Sequence, residues 1–348
     1  MIVGQSGRGE MPVVEVVTGT SFALLVALAR ASREPRDGLE AELARALDEL
    51  GDPVGETWLN LLGIPLDAGP PHTVDRLLGV LEAIDPVELR RHLLGRYAWS
   101  WCTLVGIDDI EAAASGDSAA SRRLLAHPRY YGTHARDSLT VLVALEPEET
   151  RRRIRRAVDA GARTLIEEGA AEALEIAEAR AAAALTGASP LEAIERVALG
   201  YRYIPEPEAE RVLLIPHLEP GLSLVLAQHR AARLMAFRAK PAPGSEQQLV
   251  ALGRALADPK RIEILGLLAR GVQRASDLVD ETGLSRSTVH YHLSQLREAG
   301  LITLEGNARA YRYATWPAAA ESLASLLADV IGFTDSRTNT PREGKEGQ

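Results

Sequence analysis

Polar start signals and glycine stops cut the apolar stretches of residues 13–240 into helix-length segments. In "DPVELRRHLLG", Asp85 is placed to cap a helix with Pro86 at its first position and Gly95 beyond its end. "SPLEAIERVALG" repeats that order with Ser189, Pro190 and Gly200. The Ala, Glu and Arg-rich stretch from Glu148 to Leu185 predicts two helices broken near Gly169. No fixed-period repeat is present, so a solenoid is not expected. From Tyr203 the pattern changes. "ERVLLIPHLEPGLSLVLAQHRAARLMAFRAK" has short apolar runs parted by Pro and Gly, which predict two or three short strands.

"KPAPGSEQ" then carries two prolines and a glycine without apolar periodicity and reads as a linker. Beyond it, four helices are predicted in quick succession: "EQQLVALGRAL"; "DPKRIEILGLLARG", capped by Asp258 and stopped by Gly271; "ASDLVDETG", ended by Gly283; and "SRSTVHYHLSQLREAG", capped by Ser285 and closed by Gly300. "LITLE", "GNA" and "RAYRYAT" read as a hairpin with alternating faces. "WPAAAESLASLLADVIGF" predicts a closing amphipathic helix. The expected organisation is a leader at 1–11, a helical domain at 12–240, a linker at 241–245, a smaller domain at 246–333 and a disordered tail at 334–348. The fold class is mostly α (α+β).

Composition narrows the function classes. The chain has 348 residues, 46% hydrophobic and 4% aromatic, enough to bury a substantial and mainly helical core. One cysteine, Cys102, excludes an intramolecular disulfide framework and any multi-cysteine metal site. The start lacks the pattern of a signal peptide, and the run "SFALLVALARAS" is too short to span a bilayer, so a cytoplasmic protein with no membrane partner is expected. Net charge is −9, but residues 245–315 hold nine Arg and Lys against eight Asp and Glu. Nucleic-acid contact would therefore need a local cluster in a near-neutral module on an acidic body.

The fourth C-terminal helix supplies that cluster. At 100° per residue, Val289, Leu293 and Leu296 share one face and must pack inward. Ser287, Tyr291 and Ser294 fall opposite, flanked by His290 and Arg297 on one side and Thr288 and Gln295 on the other. Helix, glycine turn, helix and hairpin is the order of a helix-turn-helix with a wing. Hydroxyl, imidazole, phenol and guanidinium groups suit base edges and phosphates of double-stranded DNA. The expected DNA-contacting residues are Ser285, Arg286, Ser287, Thr288, His290, Tyr291, Ser294 and Arg297 on the helix, with Arg309, Tyr311 and Arg312 in the wing. His290 and His292 lie about 200° apart around the helix and cannot share one metal ion.

The segment "ALADPKRIEILGLLARG…ASDLVDETGLSRSTVHYHLSQLREAGLITLEGNARAYRY" resembles the ArsR family of bacterial winged-helix repressors. The resemblance implies a homodimer whose interface is built by the first and last helices of the module, here 247–256 and 316–333. It also places base reading near Arg286, Ser287, His290 and Tyr291. The metal-sensing members' Cys-x-Cys motif is missing from "ASDLVDET", and the last helix has no His, so neither metal nor cofactor is expected.

For the larger domain, Tyr97, Trp99, Trp101, Tyr130 and Tyr131 form the candidate effector pocket, although ordinary core packing explains such aromatics equally well. His127, His134 and Cys102 lack the tight spacing of a metal site. Asp108 and Asp109 read as a helix N-terminus favouring anions. No phosphate loop, nucleophile elbow or His-Glu-x-x-His motif appears, so an enzyme is not expected. The residues and the resemblance together lead to the expectation of a repressor that binds an inverted repeat as a homodimer, its larger domain dimerising, sensing an effector, or both. Alternatives are an architectural or protein-interaction module, or a regulator with a catalytic N-terminal domain.

Overall fold

The computed structural model describes residues 11–32, 35–51, 55–131, 139–198, 200–219, 222, 224–239, 245–271, 273–307 and 310–316. They fall into two compact units. The first takes those up to Ala198 together with those between Tyr203 and Lys240; the second takes those between Leu199 and Arg202 together with those after Pro241. The architecture is mostly helical with a few strands. Among the described residues, no helix is long and apolar enough to cross a membrane.

The first unit opens with strand β1 (Val13–Val16) and helix α1 (Thr20–Ala31). Helix α1 is apolar nearly all round, and Phe22, Leu24, Leu25, Val26 and Leu28 are fully buried, as expected of a helix at the centre of a core. Helices α2 (Ala41–Asp48), α3 (Gly55–Asn60), α4 (Gly63–Ala68), α5 (Val74–Ala83), α6 (Pro86–Leu93), α7 (Trp99–Val105), α8 (Ile107–Ala114) and α9 (Ser118–Ala126) follow. The long helices α10 (Pro147–Leu165) and α11 (Ala170–Leu185) are parted by Gly169, which is left-handed at φ 85°. Helix α12 (Pro190–Val197) begins with a capping box in which Ser189 and Glu192 satisfy each other's backbone N–H groups. Asp85 caps α6 in the predicted way, accepting from the N–H groups of Val87 and Glu88.

The predicted strands are β3 (Arg211–His217), β4 (Leu224–His229) and β5 (Ala232–Arg238). With β1 they make a sheet in the order β1-β3-β5-β4, parallel except for the β4–β5 hairpin. The inner strands β3 and β5 are buried on both faces, so their side chains do not alternate between core and solvent. Helices α1 and α11 pack on β3. Strand β1 was not among the strands expected in this mostly helical part of the chain, because four residues are too few to show a period.

The second unit contains helices α13 (Ser245–Leu256), α14 (Pro259–Ala269), α15 (Ala275–Thr282) and α16 (Arg286–Glu298), followed by β6 (Ile302–Asn307) and β7 (Ala310–Thr315). Gly306 and Asn307, expected in the turn "GNA", instead belong to strand β6. A third strand, β2 (Tyr201–Tyr203), lies along β6 and completes the sheet β2-β6-β7. Residues 199–202 therefore group with the C-terminal unit, whereas the sequence keeps them inside 12–240. The cause is backbone pairing: Leu304 N–H donates to Gly200 O at 2.6 Å. The leader up to residue 10, the linker residues 241–244, the closing helix after Trp316 and the tail at 334–348 lie outside the described residues.

Candidate nucleic-acid interface

Helix α15 stops where Gly283 turns left-handed at φ 66°, closing its last turn with a bond from Gly283 N–H to Val279 O. Two residues later Ser285 caps α16, its hydroxyl accepting from Thr288 N–H at 3.2 Å. The turn is held further by Thr282, whose Oγ1 donates to Leu278 O at 2.6 Å and accepts from Leu284 N–H at 3.4 Å. Val289, Leu293 and Leu296 then anchor α16 in a core with Ile264, Leu267, Leu268, Leu278 and Ile302. One apolar seam thus fixes which side chains face outward.

Ser285, Arg286, Ser287 and His290 are exposed, and the Tyr291 phenol is 58% exposed. Thr288, Ser294 and Arg297 are half-buried. Ser285, Ser287 and Thr288 join their hydroxyls at 2.7–2.9 Å, which orients several donors and acceptors at the helix start. Partial desolvation and the neighbouring Arg286 charge hold His290 below the ordinary histidine range. A neutral imidazole of this kind can both donate and accept at a base edge. His292 points the other way: it is buried, with Nδ1 3.7 Å from the Asp258 carboxylate that caps α14.

In the wing, Glu305 sits opposite Arg312 and Gly306 opposite Tyr311. Arg312 is exposed. Glu305 also accepts from Arg202 Nη1 at 2.8 Å, so the β2 strand reaches the wing by side chain as well as backbone. The Tyr201 hydroxyl, fully buried, donates to Gly306 O at 2.9 Å. These β2 groups were missed by sequence reasoning; the sole local signal is the alternation "YRY", buried-exposed-buried. Arg309 and the side chain of Tyr311 lie outside the described residues.

The aromatic candidates of the first unit divide among three places. Trp101 stacks on Tyr131 at 4.6 Å, and Tyr130 meets both rings edge-on at 4.8–5.6 Å. Tyr130 and Tyr131 are buried and donate to Leu94 O and Leu93 O, so these three rings form a packed knot. Gly95 makes room for it, since a Cβ there would lie 2.4 Å from Trp101. Trp99 is elsewhere, under the Arg233 guanidinium at 5.0 Å. Tyr97 belongs to a polar group in which its hydroxyl donates to Glu88, its ring lies 4.6 Å from His92, and Arg230 covers it at 4.6 Å. Asp67 binds both His229 and Arg230 there at 2.8–3.0 Å.

Burial pushes the Cys102 thiol up, and its Sγ donates to Arg96 O. His127 Nδ1 accepts from Arg129 N–H, and His134 lies outside the described residues. Among the described residues no three His, Cys, Asp or Glu side chains are placed to hold a metal ion. Asp109 at the start of α8 pairs with Arg123 at 2.6 Å.

With this geometry, the family model described as "Bacterial regulatory protein, arsR family" matches residues 258–303, from the cap of α14 into β6. The HTH-type transcriptional regulator CmtR of Mycobacterium tuberculosis is 43% identical over 86 residues, 25% of this chain and 70% of that protein. The probable mercury resistance operon repressor of Streptomyces lividans is 31% identical over 97 residues, 27% of this chain and 78% of that protein. The HTH-type transcriptional regulator YgaV of Escherichia coli is 33% identical over 87 residues, 25% of this chain and 88% of that protein. The chain belongs to the arsR family of bacterial regulatory proteins. It is a helix-turn-helix transcription regulator in which the family model begins only at residue 258, leaving the first unit as an addition to the family's DNA-binding module.

Proposed function

We propose that this protein is a cytoplasmic, sequence-specific repressor that binds an inverted-repeat operator in double-stranded DNA as a homodimer. The observation that carries the reading is the outward face of α16: Arg286, Ser287, His290 and Tyr291 stand exposed over a seam of fully buried apolar residues. Such a helix, locked by its core and presenting mixed donors and acceptors, suits the major groove. Arg312 on the wing suits a phosphate or the minor groove. Repression is favoured by two similar proteins, a probable mercury resistance operon repressor and an arsenical resistance operon repressor. A homodimer is the assembly that an inverted operator suits, one recognition helix per half-site.

The first unit, about two-thirds of the chain, is proposed to bind a small-molecule effector that sets DNA affinity. Regulation rather than catalysis is its proposed role. Selection of genomic fragments by the purified full-length protein, followed by sequencing of the bound pool, tests the reading. Enrichment of one palindromic motif is expected; enrichment that tracks base composition alone would contradict sequence-specific binding.

A further inference from the structure

A cavity of about 530 Å³ opens in the first unit, beyond the carboxyl end of β1. That volume falls within the roughly 300–1,000 Å³ of small-molecule sites. Crevices beyond the carboxyl ends of parallel strands are a common place for ligands. One wall is the β1–α1 turn, from Val16 to Thr20, and the loop 70–73; the other is a face of α11.

The first wall is held rigid by its own bonds. Ser21 donates to His72 O from both its N–H and its hydroxyl, at 3.1 and 3.0 Å, and Val74 N–H donates to Thr20 Oγ1 at 3.2 Å. The two segments approach so closely that a Cβ on Gly19 would lie 2.2 Å from His72 O. These bonds occupy N–H groups at the starts of α1 and α5, leaving those groups unable to receive an anion. The second wall sets Ala171, Leu174, Glu175 and Glu178 at helical spacings of three, four and seven, one face of α11. Leu174 is buried and Ala171 exposed. Neither Glu175 nor Glu178 has a hydrogen bond or ion pair with a described residue, and the described lining holds no Lys or Arg. His72, held below its ordinary range by burial and by Arg76, adds no positive charge.

We propose that this cavity is the effector site and that its ligand is an organic cation with an apolar body, an amine or quaternary onium. The valines, prolines and Leu174 would take the apolar part, and Glu175 with Glu178 the charge. The inference deepens the proposed role of the first unit and rests on it for the word effector. In the chain, α11 runs through α12 directly into β2, the third strand of the wing sheet. The proposed ligand would sit against α11, two elements ahead of β2 in the chain.

The test is calorimetric titration of the full-length protein, without DNA, using tetraphenylphosphonium and its isosteric anion tetraphenylborate. The cation is expected to bind at least about tenfold more tightly than the anion, a gap of about 1.4 kcal/mol. The E175Q/E178Q double variant should erase that preference. Ala171→Trp, which fills the cavity from an exposed helix position, should weaken cation binding by a similar factor with an unchanged urea midpoint. Absence of cation binding, equal affinity for the two ions, or full affinity in both variants would overturn the proposal. Because no DNA is present, those results stand apart from success or failure of the operator selection.

Discussion

The hydroxyl of Tyr201 donates to the carbonyl of Gly306 at 2.9 Å, joining residues 105 positions apart in the chain. Both ends of that bond are buried, and the neighbouring Leu304–Gly200 backbone bond makes it part of a strand pairing. The wing of this regulator is thereby a three-stranded sheet whose outer strand comes from well before the DNA-binding helices.

Tyr201→Phe keeps the ring but leaves the Gly306 carbonyl without its donor in a buried place. A loss of about 1–2 kcal/mol in unfolding free energy is expected. Urea denaturation followed by circular dichroism checks it, and an unchanged midpoint would show that water replaces the phenol. Gly200→Ala should cost more, since φ there is +74° and the added Cβ would lie 2.9 Å from Arg297 Cγ.

Ser287→Ala and His290→Ala should each weaken operator binding by about 1–3 kcal/mol while leaving binding to random DNA nearly unchanged. Arg312→Ala should weaken both together and flatten the dependence of affinity on salt, as loss of a phosphate contact does. Fluorescence anisotropy on the two DNAs at several salt concentrations separates the roles. Equal losses on operator and random DNA for all three variants would reverse the assignment.

In the first unit, Arg233 and Glu206 form an ion pair at 2.6 Å, with both side chains 1% exposed. Arg233→Ala leaves a carboxylate buried without its partner and is expected to cost about 3–5 kcal/mol. Replacing both by apolar residues, Arg233→Met with Glu206→Leu, should recover most of that loss. If the single and double variants unfold at the same urea concentration, the cost lies in packing rather than in stranded charge.

Acid should destabilise the first unit through His92 and His217. Burial, reinforced by the His229 charge, lowers His92 to about 4, and burial, with Arg238, lowers His217 to about 3. His92 faces Asp67, Glu88, His229, Arg230 and the Tyr97 ring. An unfolded histidine takes its proton near pH 6.5. As pH falls from about 6.5 toward 4, the unfolded chain binds protons that the native state refuses, so stability falls with pH. The Asp67 carboxylate, which burial alone would raise, is held far below its usual range by His229 and Arg230, and its contribution is lost only at more acid pH. Urea midpoints at pH 7.5 and 5 check the sign, and His92→Gln should flatten the slope between them. A midpoint that rose on acidification would contradict it.

Much of the second unit was legible because its signals are local. Asp258, Ser285, Gly271, Gly283 and Gly300 bound their helices by caps and turns that need no distant partner, and the seam Val289-Leu293-Leu296 fixes the exposed face. Strand β2 was not legible: an alternation of only three residues after a helix does not mark a strand until β6 is beside it. The aromatic cluster illustrates the same limit. Tyr97, Trp99 and Trp101 are neighbours in sequence yet point to three surroundings, and only Trp101 meets Tyr130 and Tyr131. The cavity draws on segments near residues 16–20, 70–73 and 171–178, whose proximity no spacing reveals.

The central claim is that α16 reads one half of a symmetric site and that two copies of the chain read the whole. Hydroxyl-radical footprinting on the selected operator, at saturating protein and with stoichiometry measured by light scattering, tests it most directly. Two protected half-sites related by a dyad, with centres about one helical turn (~34 Å) apart and two chains per operator, are predicted. A single asymmetric half-site held by one chain at saturation would contradict the account.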